Sequence, residues 1–101
     1  MARTIVKLRD YYFEYSSVVD APVTWGMKKK DFEAYYREEY GRSSLEDFQD
    51  RMKRVDKNGT SSVSGSSVEE VLDGNCAGPN GKELTVEEIY KFYCLHEPFS
   101  K

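Results

Sequence analysis

Few side chains in this sequence have the type and spacing that chemistry requires, and each such set also has an ordinary structural use. Cys94 and His96 lie two residues apart, and Cys76 sits on the loop before the last predicted helix. A structural zinc site takes about four ligands, usually with a close Cys or His pair, and only these three candidates exist. The pair is also a poor nucleophile and base. Residues two apart point to different sides of a helix, and no orienting group follows. Cys94 reads more simply as a small buried hydrophobe and His96 as a helix end. Asp56, Asn58 and Thr60 fall at the first three ligand spacings of a calcium-binding loop, with Val63 at its apolar position. The pattern then fails, because Ser61 stands at the sharp-turn Gly position and Ser67 at that of the bidentate Glu. A second partial pattern, Asp73, Asn75, Gly81 and Glu88, is spaced too widely. No metal and no other cofactor is expected.

Catalysis finds no better footing. The acidic residues number eighteen, but most have a helix cap or a partner four residues away, so none stands out as a general acid or base. No Gly-rich phosphate loop follows a strand, and the polar run GTSSVSGSS (59–67) has no Lys in a Walker position. The expectation is a protein that is not an enzyme.

Charge and aromatic content leave two binding classes open. Lys28, Lys29 and Lys30 crowd a predicted helix N-terminus, where acidic residues are preferred, and Arg51, Lys53 and Arg54 make the second helix basic towards its end. Together they are the candidate anion-binding set of a small nucleic-acid-associated protein. The net charge of −3 argues against general nucleic-acid binding. Aromatic residues make up 14% of the chain and eight of them are Tyr. So many phenols exceed what a small core can hide, because their hydroxyls want water or partners. A protein-binding surface is therefore the leading reading, with Tyr12, Trp25, Tyr35 and Tyr40 as its candidates. Tyr12 is preferred to Tyr11, which on a strand shares its face with Phe13 and Tyr15.

These candidates rest on the elements that must hold them. A chain of 101 residues is one domain, residues 1–101, able to bury a modest core without staples. Residues 28–57 are its organising stretch. Phe32, Tyr35, Tyr36 and Tyr40 stripe a helix that ends at Gly41. Leu45, Phe48, Met52 and Val55 stripe a second, opened by a Ser43–Glu46 capping box and stopped by Asn58-Gly59. Lys29–Glu33, Glu33–Arg37, Asp47–Arg51 and Asp50–Arg54 are spaced to pair. Ser67 and Glu70 box a short third helix, and Thr85 and Glu88 box the last, with Leu84 placed to staple onto Ile89 and Pro98 limiting the end. Residues 4–19 favour a strand by their β-branched and aromatic content, though Ile5, Leu8, Tyr12 and Tyr15 would also line a helix. Asp20-Ala21-Pro22 then turns the chain, and Val23-Thr24-Trp25 returns as a second strand.

Two cysteines and no apolar signal core indicate reduced thiols and a cytoplasmic protein. No run approaches the ~18 apolar residues of a membrane span. The expected fold is α+β, an N-terminal β-hairpin packed on three to four helices. The alternative is all-α, with residues 4–18 helical.

The segments VVDAPVT with GM soon after (18–27), YYREEYG (35–41), GTSS (59–62), NCAG (75–78) and ELTVEEI (83–89) resemble small proteins encoded by tailed phages, particularly those of actinobacteria. That group tends to carry Arg where Cys76 stands, and it has no assigned activity. The resemblance implies a phage origin and the cytoplasm of a host cell. The resulting expectation is a monomer or homodimer, an accessory factor that binds or inhibits a host protein.

Overall fold

β-Branched and aromatic residues alternate through the first part of the chain, and there it folds into a hairpin. The structure is a computed structural model describing residues 3–41 and 45–97, with the side chains of residues 45 and 46 left aside. Strands β1 (Arg3–Leu8) and β2 (Tyr11–Ser16) pair antiparallel from Arg3 opposite Ser16 to Leu8 opposite Tyr11. Arg9 and Asp10 are left as a two-residue turn. The expected single strand over residues 4–19 is thus two strands, because two residues suffice to reverse an antiparallel pair. Arg9 adopts φ 55°, a conformation that disfavours a side chain with a Cβ. Its guanidinium is anchored 4.2 Å from the Tyr90 ring centre and 3.2 Å from Glu87.

The expected return strand at residues 23–25 is displaced as well. Strand β3 is Ala21–Pro22, pairing with Ser16 and Tyr15 of β2. Val23 donates its N–H to Glu14 O at 2.8 Å, and Met27 exchanges both backbone hydrogen bonds with Tyr12. Thr24, Trp25 and Gly26 therefore loop out opposite Phe13, a bulge on the far edge of β2. The free edge of β1 is covered too. Lys7 donates to Gly59 O, Ser61 donates to Ile5 O, and Val6 bridges to Thr60.

Helices cover both faces of this sheet. Helix α1 (Lys29–Tyr40) ends at Gly41, whose φ of 81° and N–H bond to Arg37 O close the helix as expected. Helix α2 runs over Leu45–Asn58. Phe32, Tyr36, Phe48, Met52 and Val55 pack with Ile5 and Tyr12 into one buried cluster. Ser43 and the Leu45 side chain, both expected to serve this helix, lie outside what is described, as does Pro98. Helices α3 (Val68–Leu72) and α4 (Val86–Ile89) begin with complete capping boxes at Ser67 and Thr85. They bring Leu72, Leu84 and Ile89 onto Val6, Leu8, Phe13 and Tyr15 in a second cluster. A π-helical turn over Tyr90–Cys94 extends α4.

Tyr12 is only 4% exposed as a result. The alternation of the strand is as expected, with Tyr11, Phe13 and Tyr15 on one face, but α1 closes over the opposite face as well. Tyr12 stacks on Phe32 at 6.0 Å and is core. The α+β architecture stands, with a hairpin-based sheet between two helical layers.

Phe48 contacts both Phe32 and Tyr36, at 6.2 and 4.5 Å between ring centres. Phe48→Ala is expected to cost about 3–5 kcal/mol by urea unfolding. A wild-type midpoint would contradict the packing of α1 on α2.

Candidate functional site

The bulge at residues 24–26 sets Trp25 on the surface while fixing it from behind. Its indole is 51% exposed and meets Phe92 and Tyr93 at 5.5 Å each and His96 at 5.2 Å. Gly26 donates its N–H to Tyr93 O at 2.8 Å. A Cβ on Gly26 would lie 2.5 Å from Cys94 Sγ and 3.0 Å from Cys94 Cα, so only glycine lets the π-helical turn approach this closely. Pro22, Val23, Thr24, Trp25 and Tyr93 line a shallow groove of about 230 Å³. Tyr93 donates its hydroxyl to Ala77 O at 3.3 Å, and burial raises its pKa. Val23 and Leu95 are further exposed apolar residues of these two segments.

Tyr35 and Tyr40 serve a different purpose. Both donate their hydroxyls to Glu14, Tyr35 at 2.6 Å to Oε1 and Tyr40 at 2.8 and 2.9 Å to the two oxygens. Arg3 Nη1 donates to the Tyr40 hydroxyl at 3.0 Å and lies 3.6 Å from Glu14 Oε1. The Glu14 side chain is wholly buried, and its charge is met by two phenols and a guanidinium. These bonds tie a β2 side chain to two residues of α1, so the carboxylate braces α1 against β2. Burial, and then the bond to Glu14, raise the pKa values of both phenols.

The candidate basic set is divided. Lys28, Lys29 and Lys30 are exposed at the start of α1, where Lys28 lies 3.9 Å from Asp10 and 4.6 Å from the Tyr11 ring centre, at the hairpin turn. Arg51 instead donates to Arg3 O at 2.8 Å, at the open end of the hairpin. Five steps along a strand separate the two, roughly 17 Å, beyond the screening length at physiological salt. Arg51 is buried, Arg54 donates its Nε–H to Ser61 O at 2.9 Å, and Lys53 points to solvent. Among the described residues, the ion pairs expected between residues four apart on α1 and α2 are not made. Arg51 turns inward to bonds that a water-facing carboxylate does not offer.

Cys94 is buried and Cys76 exposed, both as free thiols. Burial pushes the Cys94 thiol up to about 11. Asn75 is buried and complete, donating to Leu72 O and Leu84 O and accepting from Ala77 N and Leu84 N. Thr60 donates to Ser66 O and closes the 59–67 loop. Among the described residues, no three His, Cys, Asp or Glu side chains come together in a way that could hold a metal ion, and no helix is long and apolar enough to cross a membrane.

Of the four aromatic candidates, Trp25 is exposed, Tyr12 is buried, and Tyr35 and Tyr40 are half-buried with their hydroxyls bonded to Glu14. Phe92, Tyr93 and His96 were not singled out as neighbours of Trp25, since nothing local in the sequence ties them to residue 25. Glu14 did carry a signal, as the one charged residue in the aromatic strand YYFEYS. Comparison with family models, curated proteins and solved structures finds no match.

Two outcomes follow from this geometry. Gly26→Ala should destabilise the protein by about 1–3 kcal/mol through overpacking, with altered Trp25 fluorescence, and unchanged fluorescence would contradict the contact with Cys94. The second is alkaline. Unfolded phenols ionise near 10.0, whereas Tyr35 and Tyr40 are raised above that value and Tyr15 is pushed up to about 12. Raised folded values mean that the folded state holds its protons longer. This stabilisation is whole below pH 10 and is lost as pH rises through the folded values. Urea midpoints should fall over that range, and a flat profile would contradict it.

Proposed function

We propose that the protein is a non-enzymatic protein-binding module that engages its partner through Trp25. The observation that carries this reading is a half-exposed indole held by three rings, beside a groove sized for a single apolar side chain. Trp is among the residues enriched at binding hot spots, and here it adjoins the exposed Val23 rather than standing alone. A side chain already fixed in place loses little entropy on binding, which favours affinity. The partner presents an apolar side chain to the groove between Pro22, Trp25 and Tyr93. Following the phage resemblance of the sequence, the partner is a host protein and this chain an accessory factor that binds or inhibits it.

Nucleic-acid association through Lys28, Lys29, Lys30, Arg51, Lys53 and Arg54 has less support. The basic residues lie at two ends of the hairpin and form no continuous face.

The test compares wild type, Trp25→Ala and a Lys28/Lys29/Lys30→Glu variant as baits against host lysate, followed by affinity measurement with the purified partner. Trp25→Ala should weaken binding by about thirty-fold or more while its circular dichroism stays that of wild type. Charge reversal should do little beyond slowing association. If reversal abolished binding and Trp25→Ala were silent, the nucleic-acid type of mechanism would replace this one.

A further inference from the structure

The open end of the hairpin holds a polar cavity independent of the Trp25 surface. About 460 Å³ in volume, it is lined by Arg3, Thr4, Asp47, Arg51, Arg54, Ser61, Ser62 and Val63. Arg51 is its anomaly. The residue is only 6% exposed, yet its hydrogen bonds all end on neutral oxygens. Nη1 donates to the Tyr36 hydroxyl at 2.9 Å, and Nη2 donates to Arg3 O at 2.8 Å and to Ser61 Oγ at 3.4 Å. Among the described residues, no carboxylate oxygen lies within 4.0 Å of Arg51 or Arg54. Asp47 lines the cavity without reaching either, and Glu14 faces Arg3 from behind at 3.6 Å.

A guanidinium is always charged, and burying it without an opposite charge is strongly unfavourable. Stability alone would favour a carboxylate partner beside Arg51 or an apolar residue in its place. The arrangement makes sense if the opposite charge arrives with a ligand. We infer that this cavity binds a phosphate monoester of a small molecule, its phosphate seated between Arg51, Arg54 and Arg3.

Three guanidiniums and the hydroxyls of Thr4, Ser61 and Ser62 offer more donors than the two oxygens of a carboxylate can use. The three terminal oxygens of a phosphate monoester can use them, and Arg forks suit that geometry. The volume exceeds what a bare phosphate fills and falls within the range of small-molecule sites, leaving room for the esterified group beside Val63. Asp47 adds selectivity, because it disfavours a ligand whose negative charge extends beyond the phosphate.

The test follows the Arg Nε–H resonances of the intact protein by NMR during titration with phenyl phosphate, inorganic phosphate and acetate, at constant ionic strength. Phenyl phosphate should shift the Arg51 and Arg54 signals saturably and bind more tightly than inorganic phosphate, with acetate weaker than both. Arg54→Gln should lower phenyl phosphate affinity about tenfold or more, while Arg37→Gln, away from the cavity, should leave it unchanged. Arg54→Lys keeps the charge, loses the fork and should fall between Arg54→Gln and wild type, which provides a second reading if Arg54→Gln fails to fold. The inference is overturned if no saturable shift appears, if acetate binds as tightly as phenyl phosphate, or if Arg37→Gln weakens binding as much as Arg54→Gln.

Discussion

Strand β2 is enclosed on every side, and the rest of the molecule is arranged to keep it so. A two-stranded hairpin alone is marginal in water, because it exposes two faces and two edges. Here α1 and α2 lie over Ile5 and Tyr12, while α3 and α4 lie over Val6, Leu8, Phe13 and Tyr15. One edge of the sheet is taken by residues 59–61 and the other by residues 21–23 and Met27. Both buried clusters of the molecule are built on this strand and its partner β1.

Enclosure makes every polar group near the strand consequential. Glu14 points to the α1 side and would be intolerable there without Tyr35, Tyr40 and Arg3. The high tyrosine content is explained in part by this duty, since a phenol packs as a ring and still donates one hydrogen bond. Asn75 does similar work at the other layer, tying the loop after α3 to Leu84 with all four of its amide contacts. Arg51 differs from both, because its neighbours accept some of its hydrogen bonds without balancing its charge.

What could be read in the sequence was local. Gly41, Ser67 and Thr85 announce helix ends through residues at most three positions away, and each sits where that chemistry puts it. The facing stripes of α1 and α2 were legible for the same reason, as was the alternation of Tyr11, Tyr12 and Phe13. The hairpin turn was not, because Arg9-Asp10 lacks the Asn-Gly or Asp-Gly signature that usually marks one. The burial of Tyr12 was not either, since it depends on which helix closes over the second face. The site divides the same way: Trp25 stood out by type, while Phe92, Tyr93 and His96 join it only through the fold. Asp47 and Asp50 had the spacing to pair with Arg51 and Arg54, but tertiary bonds from Arg3 and Ser61 claimed the arginines first.

The contact between Gly26 and Cys94 joins an early bulge to the last described helical turn. On the ribosome, where chains emerge from the N-terminus, Trp25 would appear long before Phe92, Tyr93 and His96 are available to support it. Until they arrive, the indole is a loose side chain on an unpaired loop, without its groove wall at Tyr93. A partner that engages Trp25 as proposed would therefore require residues 90–96 to be docked against the bulge. The order in which the two segments are made thus fixes when the Trp25 surface can exist, which is only after the π-helical turn has docked.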